Sequence, residues 1–165
     1  TLSDQQKEQF FKYYEMLIEK NKVMNLTAIT EPKDVATLHF LDSAALLTLA
    51  DLKGKTVVDV GTGAGFPGMP MKILEPSIQL TLLDSLGKRI TFLQEVCGIS
   101  PYMDLTDLRP LTADAFLADI FQVPQGTPLL NMDEVDYDID GVPVFVSSEY
   151  FADGIFRHTV LRKKL

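Results

Sequence analysis

Apolar residues recur at helical intervals through residues 3–19, where Phe10, Phe11, Tyr14, Leu17 and Ile18 make one stripe. Ser3 followed by Gln6 has the spacing of a capping box and predicts the helix start. Residues 21–26 break the pattern. A second helix is expected after Thr30, with Pro32 in its first turn, where a missing N–H does no harm. Val35, Leu38, Leu41 and Leu46 continue its buried stripe, and Gly54 ends the region. The period then changes. Residues 56–60 are a β-rich run, and the glycine-rich stretch 61–68 follows. Residues 69–74 read as a helix, 78–83 as a strand ending on Asp84, and 86–96 as a helix with Arg89, Phe92 and Leu93 along it. Strand, turn, helix, strand, helix is the pattern of a parallel βαβ unit.

After residue 97 the pattern is of another kind. Gly98, Ile99, Ser100 and Pro101 form a hard stop. Thr112, with Ala115 and Phe116, opens a short helix to Phe121, and Asp114 lies in its first turn. Residues 123–128 are a turn-rich link. Two strands, 129–137 and 142–151, flank Asp138-Ile139-Asp140-Gly141, a strong hairpin signal. Residues 155–161 alternate as one more strand. No helix separates these strands, so they are expected to pair antiparallel.

Composition narrows the possibilities. Of 165 residues, 46% are apolar, enough for a sizeable core. No apolar run approaches the roughly 20 residues that cross a membrane, and the polar start TLSDQQKEQ lacks a secretory pattern. Cys97 is the only cysteine, and His39 and His158 are the only histidines, so neither an internal disulfide nor a metal site is expected. A reducing cytoplasm is the expected location. The net charge of −8 and pI near 4.7 argue against a free-standing nucleic-acid binder. Residues 1–97 hold ten Lys/Arg against twelve Asp/Glu, and residues 98–165 hold five against eleven.

The chemistry concentrates on residues 59–86. Gly61, Gly63 and Gly65 allow close backbone approach, and a helix start offers free N–H groups. Asp84, 19 residues after Gly65, is placed to accept ribose hydroxyls. The plainer alternative is a tightly packed βα turn with Asp84 as a solvated strand end. The spelling Asp59-x-Gly61-x-Gly63-x-Gly65 resembles the first motif of class I S-adenosylmethionine (SAM)-dependent methyltransferases. Asn25-Leu26-Thr27, His39-Phe40-Leu41-Asp42-Ser43, the stretch 59–68 and Leu83-Asp84-Ser85-Leu86-Gly87-Lys88-Arg89 occur in that order. Together they resemble the family of small-subunit ribosomal RNA guanine-N7 methyltransferases (RsmG, also called GidB). The resemblance covers residues 1–97 and implies a truncated Rossmann-like βαβ unit preceded by two helices.

That resemblance implies SAM as cofactor. Gly61 and Phe66 would contact it, Asp84 with Ser85 and Leu86 would hold its ribose and adenine side, and Asp59 would sit near the methionine end. Phe66 reads equally well as a packing residue. His39 and Asp42 read as a capping or buried polar pair. Lys88 and Arg89 suit RNA phosphates or a solvated helix face. The family would continue after Val96 with a third strand, an acidic pair closing on adenine and a Ser-Arg-Ala-Phe-like segment, none of which follows Cys97. No catalytic residue is therefore assigned, and SAM binding without turnover is expected, because methyl transfer needs donor and acceptor held in line.

Residues 98–165 resemble the closing part of a UTRA domain, the effector-binding domain of GntR-type regulators, related in fold to chorismate lyase. The resemblance rests on 113–130, 137–143, 148–151 and 156–160, and implies an α+β antiparallel segment with Glu149 as a candidate effector contact or a half-exposed strand residue. The chain thus reads as a recombined or engineered chimera of two half-domains, 1–97 and 98–165, with their strands open to merging into one sheet. A ligand-free chimera and an effector-binding module are the alternatives, and an active RNA methyltransferase ranks last. A homodimer or domain swap is expected to cover open strand edges. RNA, DNA and membrane partners are not expected.

Overall fold

The computed structural model describes residues 2–152 and Gly154. The strand expected at 155–161, with His158, lies outside the described residues. The chain divides into two compact units, Thr1–Gly98 and Ile99–Leu165.

The first unit opens with α1, Asp4–Met24. Its capping box is made as the sequence implies: the Gln6 N–H donates to Ser3 Oγ at 3.2 Å, and the Ser3 N–H donates to Gln6 Oε1 at 3.0 Å. The helix runs past residue 21 and ends at Asn25, whose φ of 51° places it in the left-handed region that Asn tolerates at a helix end. A second helical stretch follows as α2 (Pro32–Asp34), a π-helical segment Val35–Leu41, and α3 (Asp42–Leu49). Then come β1 (Thr56–Val60), α4 (Gly68–Leu74), β2 (Gln79–Leu83) and α5 (Gly87–Cys97). The strands β1 and β2 are parallel, with Asp59 opposite Leu82. This is the expected βαβ unit.

The π-helical segment corrects the expected stripe. With bonds reaching i+5 rather than i+4, residues five apart share a face. Val35 is fully buried and Phe40 packs against the same core, whereas Leu38, Leu41 and Leu46 are 57%, 65% and 39% exposed. On α1 the buried aromatic is Tyr13, not Phe11, which is 62% exposed. Tyr13 sits among Phe40, Phe66 and Phe92 with ring centroids 5.6–6.4 Å apart. Leu17, Val35, Met69, Ile73 and Leu93 complete this core. Each fully buried side chain of this size contributes roughly 1.5–3 kcal/mol. The other face of the sheet carries Val58, Val60 and Leu83, all more than half exposed.

The second unit contains β3 (Met103–Thr112), α6 (Ala115–Phe121), β4 (Pro128–Tyr137) and β5 (Pro143–Ala152). They form an antiparallel sheet of order β3-β4-β5, separate from the β1-β2 sheet. The hairpin at 138–141 forms as expected, with Asp138 Oδ1 accepting from the N–H groups of Asp140 and Val142. The strand β3 was not legible in the sequence. Among the described residues it is an edge strand, and Pro110 is tolerated there because an edge residue need not donate on both sides. Thr112 ends β3, and α6 is instead capped by Asp114, whose Oδ1 accepts from the Leu117 N–H at 2.8 Å. Among the described residues, no helix is long and apolar enough to cross a membrane.

Candidate functional site

The glycine-rich turn is built by the ends of β1 and β2. The N–H groups of Gly61 and Thr62 both donate to the carbonyl of Leu83, at 2.8 and 3.1 Å. This carries the chain out of β1 over the end of β2. Gly61, Gly63 and Gly65 all have positive φ, at 73°, 61° and 102°, a conformation that side chains with a Cβ resist. Their surroundings differ. A Cβ on Gly65 would lie 2.7 Å from both Met69 Cγ and the Tyr13 hydroxyl, so this glycine makes room for the core. A Cβ on Gly61 or Gly63 would meet nothing within 4 Å, so open space lies over these two.

Asp59 holds the turn from below. Its buried carboxylate accepts from Thr62 Oγ1 at 2.6 Å and from the Gly68 N–H at 2.9 Å, joining the turn to the start of α4. From the other side, the Tyr13 hydroxyl donates to the Ala64 carbonyl at 2.5 Å. Burial, followed by the proximity of Cys97 and Asp59, pushes the Tyr13 hydroxyl well above the ordinary tyrosine range. The hydroxyl therefore stays a donor.

Asp84 closes the site. Its Oδ2 accepts from the Gly63 N–H at 2.9 Å, and its Oδ1 from the Leu86 N–H at 2.9 Å. Arg89 Nη1 approaches both oxygens, at 3.4 and 3.2 Å. The Asp84 side chain is only 2% exposed. Burial alone would raise its pKa, but the Leu86 and Gly63 N–H groups and the Arg89 guanidinium outweigh that and hold the carboxyl below its ordinary range. Ser85 is exposed, and Leu86 stands at the N-cap of α5. Gly61, Gly63, Asp84, Ser85 and Leu86 are thus brought to one place, with Asp59 and Gly65 beneath.

Phe66 faces elsewhere. Its ring stacks on His39, centroids 4.3 Å apart and planes 11° from parallel. His39 Nε2 lies 2.8 Å from Thr27 Oγ1. Burial lowers the His39 pKa, and the nearby Asp42 only partly offsets this. This pair, with Asp42, Ser43, Leu46 and Pro67, lines a cavity of about 440 Å³. Sequence reasoning found its residues but not the cavity, because the π-helical turn that faces Leu38 outward has no clear sequence signature. Lys88 donates to the Met24 carbonyl at 3.0 Å, where it caps α1. Glu149, on β5, is exposed.

Comparison with known proteins gives a consistent result. The family model described as GidB, rRNA small subunit methyltransferase G, matches residues 6–115. The ribosomal RNA small subunit methyltransferase G of Alkaliphilus oremlandii (strain OhILAs) is 58% identical over 99 residues, covering 59% of this chain and 41% of that protein. The protein of the same name from Desulforamulus reducens is 54% identical over 96 residues, 58% of this chain and 40% of its own length. That of Lachnoclostridium phytofermentans is 55% identical over 96 residues, with the same coverage. The chain thus spans about two fifths of the length of these curated relatives.

These similarities overturn the reading of the chain as a recombined or engineered chimera. One family model runs from residue 6 to residue 115, through the join expected at 97–98. The change of pattern at Gly98 marks a boundary between compact units, which a single family match crosses. The ligand-free chimera and the effector-binding module fall with that reading, and none of these matches carries the UTRA resemblance of residues 98–165.

Proposed function

The chain belongs to the rRNA small subunit methyltransferase G family, and from that premise we propose that its first unit binds S-adenosylmethionine over Gly61 and Gly63, in the service of methyl transfer to a guanine of small-subunit ribosomal RNA. The family uses S-adenosylmethionine. When bound, this cofactor supplies an activated methyl group on a sulfonium centre. The observation that carries the reading is the junction of Asp84 with Gly63. One carboxylate both pins the turn and stands where a ribose would lie, beside two glycines with open space over them.

The residues present fit the group. Gly61 and Gly63 let a ligand approach the backbone without meeting a side chain. Asp84, ionised at neutral pH, accepts hydroxyl hydrogens. Leu86, 42% exposed, offers an apolar surface for a purine ring, with Ser85 beside it. Asp59 serves the site by bracing the turn. Phe66 lines the cavity with His39 and Asp42, and in this reading that cavity receives the acceptor base. Its stacked rings suit a planar partner, and the Asp42 carboxylate suits ring N–H donors.

Calorimetric titration of SAM into the chain and into Asp84→Ala tests the proposal. Micromolar affinity, about −8 kcal/mol, is expected for the wild type, with a loss of tenfold or more in the variant. Absence of binding to the wild type at millimolar SAM would refute it.

A further inference from the structure

We propose that Arg89 sets the affinity of the cofactor site by occupying, in the free protein, the carboxylate positions that a ribose diol takes. The inference rests on the cofactor reading above. A carboxylate offers about four lone-pair sites, and at Asp84 all four are in use. The Gly63 and Leu86 N–H groups take one on each oxygen, both at 2.9 Å. Arg89 Nη1 takes the remaining pair, at 3.2 and 3.4 Å.

The four contacts are not equivalent. The two backbone bonds are short and structural: one anchors the glycine turn, and the other starts α5 at its Leu86 N-cap. Breaking either would disturb the element it holds. The two guanidinium contacts are long, and their donor sits on a flexible side chain that is one third exposed. A pair of vicinal hydroxyls requires two acceptor positions. Arg89 alone can vacate two without loss of backbone structure. Its departure also uncovers an Asp84 side chain that is 2% exposed while the ion pair stands. Binding therefore exchanges a guanidinium for a diol, and the cation is released to solvent. In the free protein the Arg89 guanidinium is ion-paired to Asp84 rather than free on a solvated helix face.

The exchange has a signature that a merely structural ion pair lacks. An uncharged diol ligand should bind better as salt rises, because salt screens the ion pair that it must displace. The probe is 5′-methylthioadenosine, with its 2′-deoxy analogue as the control that lacks the diol. Both are titrated into the full chain and into Arg89→Met at low and at high salt, and SAM is titrated alongside. Expected are a gain of about two- to fivefold in affinity for Arg89→Met, the range of a partly exposed ion pair, a salt-dependent rise in the wild type only, and no gain for the 2′-deoxy analogue. Arg89→Lys, which keeps the charge on a more strongly hydrated ammonium, should fall between. Circular dichroism melts establish that each variant is folded. If the wild type binds and folded Arg89→Met binds no tighter, or tightens equally for the deoxy analogue, Arg89 is not a competitor and the inference fails alone. If neither protein binds SAM or methylthioadenosine at millimolar concentration, the cofactor reading fails and this inference with it.

Discussion

Asp84 and Asp136 are both carboxylates held out of water, and their surroundings treat them in opposite ways. Asp84, in the first unit, has two backbone N–H groups and a guanidinium on its oxygens. Its pKa is lowered even though burial works against that. Asp136, on β4 of the second unit, is 8% exposed and faces Asp104 directly across the strand pair. Burial first, then Glu134 and Asp104, push its pKa up. An acid surrounded by donors keeps its charge at neutral pH. An acid crowded by other acids on a sheet face weakens the sheet around it. The difference is between a carboxylate that donors hold ionised and one that burial and neighbouring acids press toward its neutral form.

The largest effect expected from this contrast lies in the glycines. Gly65→Ala places a Cβ 2.7 Å from Met69 and Tyr13 at a φ of 102°, and overpacking plus backbone strain should cost the first unit about 2–4 kcal/mol. Gly141→Ala, at φ 77° in the hairpin with nothing within 4 Å, should cost the second unit only about 1 kcal/mol. Residue-resolved amide exchange reads the two units separately. Equal costs would remove the argument that the glycine turn is packed from below. Tyr13→Phe comes next. It leaves the Ala64 carbonyl without its buried donor and should cost about 1–3 kcal/mol, with loss of exchange protection in residues 62–69.

Smaller effects follow from titration. The lowered pKa of Asp84 gives the first unit stability that is present above about pH 4, the ordinary Asp value, and lost as pH falls through the folded value. The lowered pKa of His39 adds stability present above about pH 6.5, lost as pH falls further. Asp136 has the reverse sign. Its contribution is full below about pH 4 and is lost as pH rises through its raised folded value. As pH falls from 7 the first unit should therefore weaken through His39 below about pH 6.5, and the second should gain as pH falls through the raised Asp136 value toward about pH 4. Asp133, whose pKa is lowered by Ser148, Asn131 and Arg109, opposes the second trend only below about pH 4. Asp136→Asn should stabilise the second unit by about 0.2–1 kcal/mol at pH 7 and flatten its pH response. Amide exchange at several pH values checks both signs.

Much of the first unit was legible because its signals are local. Strand periodicity, three glycines and an acid at fixed spacing lie within 29 residues and specify the βαβ unit and the place of Asp84. The hairpin of the second unit was legible for the same reason. What escaped depends on partners distant in sequence. The strand β3 carries Asp104, Asp107, Arg109 and Pro110 and acquires its character from pairing with β4, where Met103 meets Tyr137 and Thr112 meets Pro128. Val35 and Phe40 share a face only because a π-helical turn replaces an α-helical one. Tyr13 lies outside the stripe expected on the first helix, and its burial depends on the Ala64 carbonyl 51 residues away, which accepts its hydroxyl hydrogen. The change of pattern at Gly98 coincides with a boundary between compact units, yet one family match runs across it to residue 115.

The most direct test of the first unit as the cofactor site is an amide-resolved NMR titration of the full chain with SAM. Saturable shifts are expected at Gly61, Gly63 and residues 84–86, with a smaller change along α5 as Arg89 is released, and none along β4 and β5. Shifts confined to residues 129–152, or no saturable shift at residues 61–63 and 84–86, would contradict the assignment.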